Sequence, residues 1–372
     1  MIIGIPQEIK ADEHRVSLTP DKVDLLIANG HKILLETNAG VGSGYPDNYY
    51  KQVGASIIPD AESLYSDAEM IVKVKEPMPG EFGYFRENQI IFTYLHLAPD
   101  RELTDSLISN KVTGVAYETI QNDDGFLPLL YPMSEIAGNV APQIATRLLQ
   151  NISGIPGKLL GGVPGTAPCN VIVIGGGTVG FHAAKMAKAL GAHVSVFDIN
   201  LTTLRNINSE TRGNIDTIFS TPESLRISLE TANVVICAVL IPGATAPKIL
   251  TDEMIQAMPE NSLIMDVAID QGGSVEGIKS TTHQSPTYMN HGVMHYAVPN
   301  VPAIVAQTSS KSLSNATYPY VLKIANFGVE GSANQDNSLL KGVNTFRGYL
   351  THPAVADSQG RKYVPLESVL VH

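Results

Sequence analysis

Three glycines and an aspartate carry the clearest chemical signal in this chain. Residues 170–200 read NVIVIGGGTVGFHAAKMAKALGAHVSVFDIN. Gly175, Gly177 and Gly180 fit G-x-G-x-x-G. An unbroken apolar run at 171–174 precedes them, as expected of a strand buried on both faces. Val179, Ala183, Met186, Ala187 and Leu190 follow at helical spacing, and Gly191 ends that helix. A second apolar run, 193–197, closes on Asp198. Between a strand and a helix, this spacing describes a pyrophosphate site. Gly175 permits the tight turn, Gly177 lets phosphate approach the backbone, and Gly180 lets helix and strand pack closely. The helix N-terminus offers unpaired N–H groups to the anion. Asp198 is placed to accept hydrogen bonds from ribose hydroxyls and to repel a 2′-phosphate, so NAD is expected over NADP. The alternative is an ordinary tight turn in an α/β protein with a surface aspartate.

A second set of reactive groups stands where strands should end. Lys73 and Lys75 in IVKVKEP share a strand face, because side chains alternate. His96 directly follows IIFTYL. In open α/β sheets, ligands bind beyond the carboxyl ends of the strands. Lys75 and His96 therefore stand where a substrate pocket is expected. From position alone, a solvated lysine and a satisfied core or loop histidine fit equally well. Asp270, in MDVAIDQGG, follows the fifth strand of the glycine-motif region, near where nicotinamide would bind. It also reads as a turn residue before Gly272 and Gly273. Val298, Asn300 and Val301 end the sixth strand of that region. No His, Cys or Asp cluster has metal-ligand spacing, so no catalytic metal is expected.

The elements that must hold these groups alternate. Strands are expected at 2–6, 32–36, 70–74, 89–95 and 112–118, with helices at 21–29 (capped by Gly30) and 102–109. Alternation of this kind implies a parallel sheet covered on both faces. Arg15 lies in the polar segment after the first strand. Residues 133–150 read as a long helix with Ser134 as candidate N-cap and Pro142 as a possible kink. From residue 171, six strands can be counted: 171–174, 194–197, 217–219, 234–239, 263–267 and 294–298. Six is the complement of a complete Rossmann domain. A second long helix, 308–327, is expected to kink near Pro319. We therefore expect an α/β chain of two doubly wound, Rossmann-like domains joined by long helices. The nucleotide domain, 131–306, is inserted into a substrate domain made of 1–130 and 307–372.

Composition agrees with this plan. The 372 residues are 44% hydrophobic and 16% charged, enough for a sizeable core. A net charge of −11 argues against nucleic-acid or anionic-membrane surfaces. Two cysteines, Cys169 and Cys237, make no disulfide framework and read as buried thiols. The N-terminus has no signal-peptide pattern, and no apolar run reaches the ~20 residues of a membrane span. A cytoplasmic location is expected.

Several segments carry a family resemblance: GIPQEIKADEHRVSLTP, VKVKEP, LHLA, AYETIQ, PLLYPMSEIAG, GGVPG, VIVIGGGTVG, AVLIPGATAP, DVAIDQGG and NVPAIV. Over nearly its whole length the chain resembles NAD-dependent L-alanine dehydrogenases of the alanine dehydrogenase and transhydrogenase family. The resemblance implies reversible deamination of L-alanine to pyruvate and ammonium in a homo-oligomer, typically a hexamer. It implies that Arg15 and Lys75 bind substrate, that His96 is the general acid/base, and that Asp270 assists beside it. It assigns cofactor contacts to Ser134, Gly175, Gly177, Thr178, Val179, Gly180, Asp198, Ser220, Val239, Leu240, Val267, Ile269, Lys279, Val298, Asn300 and Val301. Thr203 and Lys279 depart from the pattern, standing where Lys and Arg are found near the adenosine end of NAD. Two alternatives stay open: a transhydrogenase-like NAD(H)-binding component, and a non-catalytic NAD-binding protein on the same fold.

Overall fold

The computed structural model describes residues 1–239 and 246–370. The chain forms two compact units, Met1–Met133 with Ala303–His372, and Ser134–Pro302. In chain order the first unit starts with β1 (Ile2–Ile5), α1 (Pro20–Ala28), β2 (Lys32–Glu36), α2 (Asp47–Gln52), β3 (Ser56–Ile58) and α3 (Ala61–Asp67). It continues with β4 (Met70–Val72), β5 (Ile90–Thr93), α4 (Arg101–Ser109) and β6 (Thr113–Ala116). Helix α5 (Tyr131–Leu148) then leads to β7 (Asn170–Ile174), α6 (Thr178–Ala189), β8 (His193–Asp198), α7 (Leu201–Glu210) and β9 (Asp216–Phe219). After these come α8 (Pro222–Leu229), β10 (Val234–Cys237), α9 (Asp252–Gln256), β11 (Leu263–Asp266), β12 (Thr287–Asn290) and β13 (Val293–Tyr296). The chain ends with α10 (Ala306–Gln335), α11 (Asn337–Gly342), β14 (Val343–Phe346), β15 (Tyr349–Leu350) and α12 (Pro353–Gln359).

Among the described residues the two sheets share one plan. The first runs β3-β2-β1-β4-β5-β6-β14-β15 and the second β9-β8-β7-β10-β11-β13-β12. In each, six parallel strands take the order 3-2-1-4-5-6, with antiparallel pairing at the far edge. This order reverses between β1 and β4, and again between β7 and β10. Ligand crevices form at such switch points, beyond the carboxyl ends of the strands. The central strands β4, β5, β6, β10 and β11 are buried throughout. That explains why they read as continuous apolar runs rather than alternating ones.

Each unit has its own core. In the first, Leu64, Ile71, Ile91, Leu103 and Leu107 pack α3 and α4 onto the sheet. In the second, Ile172, Phe197, Leu225, Val235 and Ile264 do the same for α8. Both cysteines are buried and unbridged.

Three local expectations are corrected. Ser134 is not an N-cap, because α5 begins at Tyr131, whose N–H donates to Leu127 O at 3.0 Å. The preceding turn supplies the acceptor that a capping side chain would have given. The break in α10 is at Gly328 (φ 68°, ψ 175°), with Pro319 inside the helix. A glycine enters that region without strain, so the helix yields there. The second sheet also gains an edge strand, β12, paired antiparallel to β13.

Candidate functional site

In the first unit, four neighbouring strands deliver polar groups from their carboxyl ends. The segment after β1 carries Glu8, Glu13 and Arg15. Lys73 and Lys75 follow β4, Tyr94 and His96 follow β5, and Tyr117 and Glu118 follow β6.

Arg15 is 2% exposed and forms a two-pronged pair with Glu13. Its Nε donates to Glu13 Oε1 at 2.7 Å and its Nη2 to Oε2 at 2.6 Å. The Arg15 backbone N–H donates to the same Oε1 at 3.0 Å. Nη1 meets Met133 Sδ at 3.2 Å. Burial works against the guanidinium charge, but the Glu13 carboxylate outweighs it and holds the proton more tightly than usual. The Nε–Nη2 edge of Arg15 is thus taken by Glu13.

Lys73 and Lys75 lie just past β4 and are 1% and 7% exposed, so the solvated-lysine reading of Lys75 does not hold. Lys73 is a structural cation. Its Nζ donates to Glu81 Oε1 at 2.8 Å and lies 3.5 Å from Glu8 Oε2. Glu8 in turn accepts the Val74 N–H at 2.6 Å and the Lys75 N–H at 3.4 Å, which fixes the backbone that carries Lys75. Burial raises the Glu8 carboxyl to about 7, and the nearby Lys73 only partly offsets this. Glu76 shares a field with the candidate substrate groups. Burial pushes its carboxyl up, but Lys75, Lys10 and His96 together hold it below the ordinary range. Lys75 and His96 thus act on one carboxylate.

His96 is exposed, while its neighbours Leu95 and Leu97 are 0% and 1% exposed. Its backbone is left-handed, with φ 48°. The imidazole stacks on Tyr94 (centroids 6.0 Å apart, planes at 15°), and Tyr94 Oη donates to Leu129 O at 2.6 Å. The core-histidine reading therefore fails, and the ring sits against an anchored aromatic wall.

In the second unit, the glycine turn is built as its spacing implies. Gly175 has φ 94°, which favours glycine. A Cβ on Gly180 would lie 1.8 Å from Gly175 O, whereas one on Gly177 would meet nothing within 4 Å. Gly177 is the N-cap of α6 and makes no side-chain cap, so the first N–H groups of α6 are left to a ligand. Asp198 ends β8, accepting the Gly176 N–H at 2.7 Å and the Asn200 N–H at 2.7 Å. Open space at Gly177, an uncapped helix terminus and an acid at the neighbouring strand end fit a dinucleotide.

Further candidate contacts line the same sheet edge. Ser220 follows β9, Val239 follows β10, Val267 follows β11, and Val298, Asn300 and Val301 follow β13. The Ser220 N–H donates to Asp198 O at 3.0 Å and the Val267 N–H to Cys237 O at 3.0 Å. Asp270 and Ile269 share a one-turn 3₁₀ helix, Ile269–Gln271, closed by Gly272 (φ 88°). Asp270 is both a turn residue and an anchor, because its Oδ2 accepts the Asn300 N–H at 3.1 Å. Lys279 is exposed, and its N–H donates to Tyr288 Oη at 3.1 Å. Thr178 and Val179 open α6, and Ser134 lies in α5. Leu240 lies outside the described residues. Among the described residues, no group of three or more His, Cys, Asp or Glu could hold a metal ion, and no helix is long and apolar enough to cross a membrane.

Sequence reasoning passed over Glu8, Glu13, Tyr94 and Glu118. Glu118 stands in AYETIQ and Glu13 two residues before Arg15, so the segments were visible although the contacts were not.

Comparisons with known proteins agree along the chain. The family description "Alanine dehydrogenase/PNT, N-terminal domain" matches residues 4–137, and "Alanine dehydrogenase/PNT, C-terminal domain" matches 141–353. The alanine dehydrogenase of Bacillus subtilis is 49% identical over 371 residues, covering 100% of this chain and 98% of that protein. A solved L-alanine dehydrogenase superposes with a TM-score of 0.93 at 44% identity, over 97% of this chain and 99% of its own. The transhydrogenase structure from Sinorhizobium meliloti superposes at 0.81 with 22% identity, over 95% and 100% of the chains, and shares the fold.

Proposed function

This chain belongs to the alanine dehydrogenase/PNT family, and from that premise we infer that it catalyses the reversible oxidative deamination of L-alanine to pyruvate and ammonium. The observation that supports the reading is full-length identity near one half, together with Lys75 and His96 just past the adjacent strands β4 and β5 and Arg15 in the segment that follows β1.

The cofactor we propose is NAD, held by the Gly175–Gly180 turn and α6 N-terminus at its phosphates and by Asp198 at its ribose. Bound there, the cofactor would supply the hydride acceptor for the substrate Cα. Arg15 and Lys75 bind the substrate carboxylate, while Glu13 holds the Nε–Nη2 edge of Arg15. That arrangement fixes Cα, and fixing reactants is worth a large part of the barrier. His96 takes a proton from the water that adds to the imine carbon. It returns protons as the carbinolamine collapses to pyruvate and ammonium. Lys75 stabilises negative charge on the substrate oxygen as it develops. Asp270, held by the Asn300 N–H, assists the water and ammonia steps. On the family resemblance we also propose a homohexamer and a cytoplasmic location.

The test is NADH absorbance. NADH should form from L-alanine and NAD, and it should be consumed by pyruvate only when ammonium is present. Silence in both directions with NADH binding intact would defeat the reading. His96→Ala should lose at least a hundredfold in turnover, the scale of general acid–base catalysis, while still binding NADH.

A further inference from the structure

His96 combines an exposed imidazole, buried neighbours and a left-handed backbone. A residue with a Cβ adopts that conformation at an energetic cost and keeps it only when its surroundings impose it.

The restraint is on the adjacent strand end. Glu118 lies in the one-turn 3₁₀ helix Tyr117–Thr119 that follows β6, and β6 pairs with β5. Its Oε1 accepts the His96 N–H at 2.7 Å. Both of its oxygens accept the Leu95 N–H, each at 3.2 Å. One carboxylate thus grips two successive backbone N–H groups at the point where the chain turns left-handed. Hydrogen bonds from amides to an ionised acceptor are among the stronger ones in proteins. Burial of Leu95 and Leu97 fixes the chain on either side, and Tyr94 supplies a wall for the ring.

We propose that Glu118 is a positioning residue for proton transfer: its grip on the Leu95 and His96 amides holds the His96 imidazole in line with the reacting substrate. Glu118 acts through His96 and takes no proton itself. Without the grip, the backbone relaxes toward negative φ, the ring leaves its alignment, and the proton steps slow while hydride transfer is spared. The inference rests on the assignment of His96 as general acid/base.

The experiment uses full-length Glu118→Gln and Glu118→Ala beside wild type and His96→Ala. It measures kcat, KM for L-alanine, NADH affinity, thermal midpoint and the isotope effect with Cα-deuterated L-alanine. Glu118→Ala should lower kcat by roughly ten- to a hundredfold, part of the general acid–base contribution, with KM for L-alanine and NADH affinity nearly unchanged. The isotope effect on kcat should fall toward one, because proton steps then limit turnover. Glu118→Gln keeps a carbonyl acceptor and should recover much of the loss. If Glu118→Ala does not fold, Glu118→Gln carries the test, with a smaller drop in kcat and the same fall in isotope effect. Wild-type silence, or near-normal turnover of His96→Ala, would defeat the functional reading itself. With those controls as expected, the positioning role is overturned if kcat of Glu118→Ala stays within about twofold of wild type or, where only Glu118→Gln folds, if its isotope effect equals that of wild type. It is equally overturned if kcat, KM and NADH affinity deteriorate together with the isotope effect intact.

Discussion

Glu13 and Arg15 are buried partners, and the Glu13 carboxylate is the largest favourable influence on the Arg15 charge. Removing one side of such a pair strands a charge in the protein interior. Glu13→Ala should therefore destabilise the chain by about 3–5 kcal/mol in denaturant unfolding, beyond any effect on substrate affinity. A loss under about 1 kcal/mol would mean that neighbouring groups or solvent compensate Arg15 once Glu13 is gone. Asp198 stands, in the proposed function, at the other end of the chemistry. Its carboxylate already accepts two backbone N–H groups, so its orientation is set before any nucleotide arrives. Asp198→Ala should raise KM for NAD by about tenfold, one charge-assisted hydrogen bond, and should narrow the NAD-over-NADP ratio of kcat/KM. An unchanged ratio would remove Asp198 from the specificity argument.

The glycine turn separates two kinds of requirement on one element. A Cβ at Gly180 collides with the Gly175 carbonyl, whereas one at Gly177 enters empty space at an ordinary φ of −64°. Gly180→Ala should lower both the thermal midpoint and NADH affinity, with an overpacking cost of about 1–3 kcal/mol. Gly177→Ala should leave the midpoint unchanged and still weaken NADH binding, because only the ligand needs that space. Equal NADH affinity in Gly177→Ala and wild type would contradict the proposed phosphate site. The same contrast shows what could be read from residues alone. G-x-G-x-x-G and the apolar runs of β7 and β8 announce themselves because local spacing dictates them. Glu118 on His96 and Glu8 on Val74 do not, because a side chain gripping a distant backbone amide leaves no periodic trace. Edge strand β12 escaped notice because its TYMN sequence has no buried face to demand an apolar pattern. Proline marked the wrong position in α10 because a helix can accommodate a proline, while Gly328 is free to leave the helical region altogether.

Across the whole molecule, two buried titratable groups pull stability in opposite directions with pH. His295 in the second unit is 1% exposed, stacks on Tyr288 and has no hydrogen-bond partner on either ring nitrogen among the described residues. Burial, with a smaller push from His291, lowers its pKa from 6.5 to about 4. Its contribution is present above 6.5 and is lost as pH falls toward about 4, because the unfolded chain takes up the proton first. Glu8 in the first unit is the reverse. Its folded pKa is raised from 4.5 to about 7, so its contribution is present below 4.5 and is lost as pH rises through about 7. His295→Phe, which keeps the stack, should make stability fall more steeply with rising pH across the overlap of those ranges, and Glu8→Gln should make it rise. Denaturant midpoints at several pH values measure both slopes, and unaltered slopes would refute the linkage. The two units differ in another way, in how their chain is spaced along the message. Ser134–Pro302 is one continuous stretch, whereas the first sheet is closed at β6 only by β14, from the end of the chain. Ser310 and Ser314 of α10, which accept the Val16 and Thr19 N–H groups, also arrive late. On the ribosome the first-made residues must therefore wait, with β6 offering an unpaired edge to any passing strand, until the last-made ones emerge. A chain released early would carry a finished nucleotide fold beside a half-sewn, adhesive sheet.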